Sequence, residues 1–191
     1  MITWGSLTHN IQTIISSLHA SNETVVASWL PQYHDMGLIG SLLALLYCGG
    51  SGAYMSPIHF ILNPCIWLLL CTKYKATHIQ GPNFAYALVL RKLPGFAMAS
   101  KIDLSSLQHI FNAAEPISVD IAKQFINTFS KQGLARSAMT GGYGLAESCV
   151  YVSDDGHGVL TIEREAFEKK NEVVPVTYYD CVKDGKCVGV S

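Results

Sequence analysis

The stretch TVVASWLPQYHDMGLIGSLLALLY (Thr24–Tyr47) decides the fold. Its β-branched start, Thr24–Leu30, predicts a short buried strand that ends at Pro31, because proline has no backbone N–H with which to continue a strand ladder. A polar loop follows, and the apolar run Met36–Tyr47 predicts a buried helix with Asp35 as its N-cap. A strand, a loop and a helix in this order form the first part of a parallel βαβ unit.

The same alternation of strand and helix recurs along the chain. Further strands are predicted at Ala53–Ser56, Ala76–Gln80, His109–Ala113 and Ala135–Met139, and further helices at Leu7–Leu18, Asn63–Tyr74, Asn83–Leu93 and Ser118–Gly133. Asn63 and Asn83 are the expected N-caps of their helices. Strands that alternate with helices of about ten residues indicate an α/β fold with a layered, largely parallel β-sheet and flanking helices. In such sheets ligands bind beyond the carboxyl ends of the strands.

Bulk composition excludes several classes of protein. With a net charge of −1 at pH 7, the chain has no basic surface of the kind that binds nucleic acid. Its most apolar windows, Leu38–Cys48 and Ile58–Cys71, are too short to span a bilayer, so we expect no transmembrane segment. The six cysteines form no CxxC pair and no metal-ligand spacing with histidine, which predicts a reducing, cytoplasmic compartment and no zinc site.

The end of the chain, residues 154–191, is more polar than the rest. Its pattern predicts a turn at Asp154–Gly158, a short charged helix at Glu163–Lys170 and a valine-rich strand at Glu172–Tyr178. We expect this segment to be a distal part of one domain that covers residues 1–191.

A glycine-rich stretch with one aromatic ring and one acid, GGYGLAES (Gly141–Ser148), is a candidate nucleotide site. Glycine lets the backbone come close to a ligand, and the ring of Tyr143 offers a face to a nucleobase. The carboxylate of Glu147 is an oxygen ligand of the kind that Mg²⁺ binds together with phosphate. The same residues are also compatible with a glycine-rich turn before a strand.

Three more motifs precede this stretch: SWLPQYHDMGLIG (Ser28–Gly40), GPNFAYAL (Gly81–Leu88) and FNAAEPI (Phe111–Ile117). In order and spacing, the four motifs resemble those of the fatty acyl-AMP ligases, which belong to the adenylate-forming superfamily. The resemblance covers nearly the whole chain and fades after about Ser153. It implies part of the large N-terminal domain of an enzyme that joins a fatty acid to AMP.

The resemblance implies catalytic roles for His34 and Glu147. His34 would lie near the acyl carboxylate and the α-phosphate of ATP, where an imidazole donates a hydrogen bond to developing negative charge. Glu147 would hold Mg²⁺. The alternative for His34 is a side chain that only packs against its own loop. Asp35 is expected to be structural, as the cap of the following helix.

The resemblance also implies where the nucleotide and the acyl chain bind. Tyr143 would stack on adenine, and the turn in FNAAEPI would present backbone groups to the adenine edge, with Glu115 favoured as an anchor behind the site. The expected nucleotide-binding residues are Ala114, Glu115, Pro116, Gly142, Tyr143 and Gly144. The expected substrate-binding residues of an acyl slot are Gly81, Asn83, Phe84 and Tyr86. Composition alone favours an ordinary buried helix start for GPNFAYAL.

Members of the superfamily carry a phosphate-binding loop upstream of these motifs, and a ribose-binding aspartate and a lysine-bearing C-terminal domain downstream. The expectation here is a partial AMP-binding domain that lacks these parts and has little or no ligase activity in isolation. Expected cofactors are ATP, as a substrate, and Mg²⁺; expected partners are a fatty acid and either acyl-carrier protein or CoA. The alternatives are a fragment of an acyl-CoA synthetase and a non-catalytic adenylation-like module that binds lipid or a partner protein.

Overall fold

The computed structural model describes residues 1–154, 160–176 and 187–190, the last four by their backbone only. The chain divides into two compact units, Met1–Asp155 and Gly156–Ser191. The expectation that the distal segment belongs to the same domain as the rest stays a prediction. Among the described residues, none of the helices has the length and apolar character needed to cross a bilayer.

One sheet of five parallel strands forms the centre of the first unit. Its strands are β1 (Val25–Ser28), β2 (Ser51–Tyr54), β3 (His78–Gly81), β4 (His109–Asn112) and β5 (Met139–Gly141). Their spatial order is β2-β1-β3-β4-β5, and every neighbouring pair is parallel. Parallel neighbours require crossover connections, which the helices supply. The predicted α/β class with a parallel sheet and flanking helices is therefore confirmed.

Six α-helices flank this sheet: α1 (Trp4–Ser17), α2 (Ala44–Cys48), α3 (Pro57–Leu62), α4 (Cys65–Tyr74), α5 (Asn83–Lys92) and α6 (Val119–Phe129). The helix predicted at Met36–Tyr47 is present, but its first part, Met36–Leu43, is wound as a π-helix that continues into α2. Asp35 is its N-cap as predicted, because its carboxylate accepts a hydrogen bond from the Met36 N–H at 2.7 Å.

Two apolar cores lie on either side of the sheet. The larger core contains Trp67 of α4, Tyr86 of α5 and Phe125 of α6, all with no exposed surface. The smaller core contains Ile14 of α1 and Ile39 of the π-helical segment. Because side chains alternate along a strand, β3 sends Ile79 to the larger core and His78 and Gln80 to the other face.

Three local predictions are corrected by the structure. Asn63 ends α3, a helix that was not predicted, instead of capping α4, which starts after Pro64. Asn83 is the first residue of α5 rather than its cap, and its side-chain oxygen accepts from the Ser118 N–H at 3.1 Å. A strand was predicted at Ala135–Met139, but β5 begins at Met139. The Ala138 N–H donates to Ala135 O, which closes a turn where the strand was expected.

The second unit pairs β6 (Leu160–Glu163) with the antiparallel strand β7 (Cys187–Val190) and contains helix α7 (Arg164–Lys170). The predicted charged helix is thus confirmed, with a Lys169–Glu165 ion pair at 2.7 Å along one face. The strand predicted from Glu172 is reduced to an isolated bridge between Pro175 and Ile162, since proline supplies no N–H. Residues 155–159 and 177–186 lie outside the described residues, and with them most of the predicted turn and the end of the predicted strand.

Candidate functional site

A cavity of about 280 Å³ lies in the first unit, where the chain leaves three parallel strands. The loop after β1 contributes His34, the turn after β4 contributes Ala114, and the segment after β5 contributes Tyr143 and Gly144. These four predicted site residues come from three separate motifs, and the structure brings them together at one cavity. The apolar part of the wall includes Ile14 of α1, Phe111 of β4, and Leu145 and Val150 of the segment after β5.

The loop after β1 holds the imidazole of His34 at the cavity by means of Asp35. His34 Nδ1 lies 2.7 Å from an Asp35 carboxylate oxygen, an ion pair when the ring is protonated, and it accepts a hydrogen bond from the Met36 N–H at 3.3 Å when the ring is neutral. With Nδ1 as the acceptor, the neutral ring carries its proton on Nε2, which can donate to a ligand. Asp35 was expected to act only as a cap, and the structure also places its carboxylate against the ring of His34.

The turn after β4 contains a strained backbone position. Ala114 has φ of +72°, in the left-handed region that residues with a side chain rarely adopt. The next residue, Glu115, points its carboxylate at the start of α5, where one oxygen accepts a short hydrogen bond from the Phe84 N–H. This contact ties the turn to the first turn of α5, whose N–H groups have no partner within the helix. Glu115 and Pro116 are exposed and do not line the cavity.

The segment after β5 presents the ring of Tyr143 to solvent on a fixed backbone. Its side chain is 61% exposed, while its N–H donates to Ser153 O at 2.8 Å and its carbonyl accepts from the Ser153 N–H at 3.0 Å. The neighbouring glycines allow the backbone of this segment to pack closely against other parts of the chain. A Cβ on Gly142 would collide with the ring of Phe111, and one on Gly144 would collide with the carbonyl of Val150.

Glu147 lies in a single 3₁₀ turn, Ala146–Ser148, with its side chain exposed. It does not line the cavity, although Ala146 beside it does. Within the described part of the chain, its carboxylate has no hydrogen-bond or ion-pair partner, and no three His, Cys, Asp or Glu side chains are grouped so as to hold a metal ion.

The residues predicted to form an acyl slot are not brought to this cavity. Tyr86 is fully buried between Trp67 and Phe125, and its hydroxyl donates to Phe111 O at 3.1 Å. Asn83 is buried at the start of α5, Gly81 ends β3 within the core, and Phe84 places an exposed ring edge-on to Trp29. The contact of these four residues with a substrate stays a prediction.

The structure adds wall residues that the motifs do not contain. Ile14 and Leu18 line the cavity from α1, and Tyr151 lines it from the segment after GGYGLAES. Asn10 joins these two segments, since its side chain donates to Tyr151 O at 2.7 Å and accepts from the Tyr151 N–H at 3.2 Å. The helix over Leu7–Leu18 was predicted, but nothing in the sequence placed its buried face at the site.

A buried histidine, His78, and a half-buried one, His109, lie on the same face of the sheet, beside the cavity. His78 stacks on His109 with ring centroids 4.7 Å apart, and its Nε2 lies 2.8 Å from Leu18 O. Burial lowers the pKa of His78 to about 4, and burial together with the nearby His19 lowers the pKa of His109. Since its pKa lies well below neutral pH, His78 is uncharged there, with Nε2–H donating to the Leu18 carbonyl.

Comparison with known proteins identifies the family. Residues 1–174 match the AMP-binding enzyme family. Medium-chain-fatty-acid–[acyl-carrier-protein] ligase JamA of Moorena producens is 39% identical over 178 residues, which cover 91% of this chain and 30% of JamA. The corresponding ligase TtuA of Teredinibacter turnerae is 39% identical over 153 residues, which cover 80% of this chain and 24% of TtuA. The crystal structure of a fatty acyl-adenylate ligase from L. pneumophila, in complex with acyl adenylate and pyrophosphate, matches with a TM-score of 0.86 and 36% identity over 93% of this chain and 32% of that one.

The parallel sheet and the cavity at its strand ends define an α/β protein of the class in which ligands bind beyond the carboxyl edge of the sheet. Within that class, the chain belongs to the AMP-binding enzyme family. The resemblance carried by the four motifs is thereby confirmed. The chain spans less than a third of the length of each of these three proteins.

Proposed function

We propose that the protein containing this chain activates a fatty acid with ATP, forming an acyl-adenylate and releasing pyrophosphate. The observation that carries the proposal is the single cavity at which His34, Ala114 and Tyr143 meet from three strand ends, above an apolar wall. Further support comes from the similar proteins: JamA and TtuA are fatty-acid ligases by name, and the L. pneumophila ligase was crystallised with acyl adenylate.

In the proposed reaction, a carboxylate oxygen of the fatty acid attacks the α-phosphorus of ATP. A new bond forms between that oxygen and phosphorus, and the bond to the bridging oxygen of pyrophosphate breaks, so pyrophosphate leaves with the electron pair. The protein's main task is to hold the two reactants in line and to stabilise the negative charge. With Nδ1 accepting from the Met36 N–H, the ring of His34 offers Nε2–H to the phosphate or carboxylate oxygens.

The nucleotide would be held by the other two loops. The exposed ring of Tyr143 is free to stack on adenine, and the turn at Ala114 brings backbone N–H and C=O groups to the same cavity. Gly142 and Gly144 allow this segment to pack closely against its neighbours. Glu115 and Pro116 contribute by shaping the turn, Glu115 through its hydrogen bond to the Phe84 N–H.

Glu147 fits the expected role of a Mg²⁺ ligand. Mg²⁺ is commonly held by one or two carboxylates together with substrate phosphates and water, so a complete protein cage is not required. The carboxylate of Glu147 is exposed and makes no competing contact within the described residues, and so it is available to such an ion. When bound, the ion would neutralise charge on the phosphates of ATP.

Acyl-carrier protein is the proposed acceptor of the acyl group, since the names of JamA and TtuA specify it. CoA is the alternative acceptor. The roles of Gly81, Asn83, Phe84 and Tyr86 in holding the fatty acid, and the cytoplasmic location expected from the cysteine pattern, belong to the same proposal.

Pyrophosphate release tests the reaction directly. The protein, expressed with any flanking sequence that its gene encodes, is incubated with ATP, Mg²⁺ and a fatty acid, and pyrophosphate is measured with and without the acid. We expect acid-dependent release that falls strongly in Glu147→Gln, with binding of the stable mimic acyl-sulfamoyl adenosine retained. Equal turnover of Glu147→Gln and wild type would contradict the role of Glu147, and release without any fatty acid would contradict the reaction.

A further inference from the structure

We propose that Asn10 of α1 is a positioning residue, whose side chain holds in place the turn that carries Glu147. The inference rests on the proposed function, because it takes Glu147 as the residue that holds Mg²⁺. Asn10 belongs to none of the four motifs and does not line the cavity, so its effect on the reaction passes through the segment to which it is bonded.

The side chain of Asn10 bonds to both backbone groups of a single residue. Its amide nitrogen donates to Tyr151 O at 2.7 Å, and its amide oxygen accepts from the Tyr151 N–H at 3.2 Å. The two residues are 141 positions apart, so the pair joins the first helix to a distant part of the chain. Two bonds to one residue fix its orientation as well as its position, as in a hydrogen-bonded pair of antiparallel strands.

The segment from Tyr143 to Ser153 is a loop whose two ends are bonded to each other. The Tyr143 N–H donates to Ser153 O at 2.8 Å, and the Ser153 N–H donates to Tyr143 O at 3.0 Å. These bonds do not involve α1, so the ring of Tyr143 keeps its place without Asn10. Glu147 lies in the middle of the loop, away from this closure and four positions before Tyr151.

The turn after Glu147 contains a strained residue. Cys149 has φ of +70° and ψ of −72°, and the Val150 N–H donates to Ser148 O at 3.1 Å around it. This is the geometry of a γ-turn with positive φ, which is rare and costs free energy in a residue with a side chain. Such a conformation persists only where the surrounding structure fixes it.

Helix α1 supports the strained turn at two places. Ile11 and Ile14 are buried with Cys149 in the smaller core, and Asn10 holds Tyr151 two residues further along the chain. Without the bonds to Asn10, the backbone around Cys149 is free to relax towards negative φ. Glu147, two residues before Cys149, then moves with the turn. Asn10 therefore acts on the reaction through Glu147.

The first experiment measures the turn itself. Amide hydrogen exchange is followed by mass spectrometry in wild type and Asn10→Ala, in the protein with its flanking sequence and without Mg²⁺ or nucleotide. Exchange within residues 144–149 should become about fivefold to thirtyfold faster, the change in opening that one or two lost hydrogen bonds produce. This stretch leaves out Tyr151, whose own N–H loses its acceptor in the variant.

The second experiment asks whether Asn10 acts through Glu147. Pyrophosphate release at saturating ATP and fatty acid should fall about fivefold or more in Asn10→Ala. In Glu147→Gln the same substitution should have no further effect, because the carboxylate that Asn10 positions is already absent. Binding of acyl-sulfamoyl adenosine should stay within about twofold of wild type, because Tyr143 is fixed by its own bonds to Ser153.

Gln12→Ala is the matched control on the same helix. The side chain of Gln12 joins α1 to Tyr47 through a hydrogen bond of 2.8 Å, so its removal also takes a polar contact from α1 but leaves Tyr151 bonded to Asn10. This variant should change neither the exchange within residues 144–149 nor the release of pyrophosphate.

The outcomes are distinct. Unchanged exchange within residues 144–149 in Asn10→Ala would overturn the proposal, and so would an equal fall in release in the wild-type and Glu147→Gln backgrounds, or the same effects in Gln12→Ala. If Asn10→Ala lacks a cooperative thermal transition, Asn10→Asp, which keeps the acceptor for the Tyr151 N–H and loses the donor, takes its place under the same criteria. Absence of acid-dependent release from wild type would instead contradict the proposed function itself.

Discussion

Replacing Tyr143 with alanine should weaken nucleotide binding without weakening the fold. The ring is 61% exposed, and the hydrogen bonds that fix this segment to Ser153 are made by the backbone of Tyr143. Because truncation of an exposed side chain leaves those bonds in place, the free energy of unfolding should change by no more than about 0.5 kcal/mol.

The expected loss of binding follows from the value of base stacking. Removing an aromatic ring that stacks on a base costs about 1–3 kcal/mol. Since about 1.4 kcal/mol corresponds to a tenfold change, the affinity of Tyr143→Ala for the adenine-containing ligand should fall by about 5-fold to 150-fold. Tyr143→Phe keeps the ring and should bind within about twofold of wild type.

Isothermal titration with acyl-sulfamoyl adenosine measures this loss, and thermal unfolding of the same samples measures the stability. The reasoning would be refuted if Tyr143→Ala bound the ligand as tightly as Tyr143→Phe. It would also be refuted if the lost affinity were matched by a lower unfolding temperature, since the ring would then serve the fold and not the ligand.

Three further predictions concern stability. Lowering the pH from about 6.5 to 4 should reduce the free energy of unfolding by about 3 kcal/mol, because burial lowers the pKa of His78 to about 4 and only the unfolded chain takes up the proton readily in that range. Urea unfolding should show this pH dependence in wild type and its loss in His78→Gln. Glu115→Ala should cost about 1 kcal/mol, seen as a melting temperature lower by about 2–4 °C, because the Phe84 N–H loses its acceptor. Gly144→Ala should lower the melting temperature by more than that, because its Cβ collides with a backbone carbonyl, while Gly95→Ala, with nothing within 4 Å, should not.

Each of these predictions has an outcome that contradicts it. If the pH dependence of the unfolding free energy were retained in His78→Gln but lost in the exposed control His9→Gln, the titrating group would not be His78. Equal melting temperatures of wild type and Glu115→Ala would show that the bond to α5 adds nothing. Equal melting temperatures of Gly144→Ala and Gly95→Ala would mean that the segment after β5 adapts freely.

Local patterns in the sequence predicted the elements on which the site is built. A β-branched run ending at a proline located β1, and the apolar run after Asp35 located the following helix together with its cap. Once these elements alternate, the topology follows from the requirement that parallel strands be joined by crossovers. The convergence of His34 and Tyr143 then follows from their positions after strand ends.

Contacts between segments that are distant in sequence could not be predicted from such local patterns. Gln80 reaches Ser41 across 39 positions, and the bond from the Phe84 N–H to Glu115 joins positions 31 apart. From the sequence alone, neither Gln80 nor Glu115 can be told from an ordinary exposed polar residue. The full burial of Tyr86 and the π-winding of Met36–Leu43 likewise depend on what packs against them, and a single segment does not record that.

A crystal structure of the protein with bound acyl-sulfamoyl adenosine would test the central claim most directly. We expect the purine within about 4 Å of the Tyr143 ring, the phosphate mimic beside His34, and the acyl chain on the apolar wall of the cavity. Density for the ligand elsewhere, with Tyr143 and His34 both free of contact, would contradict it.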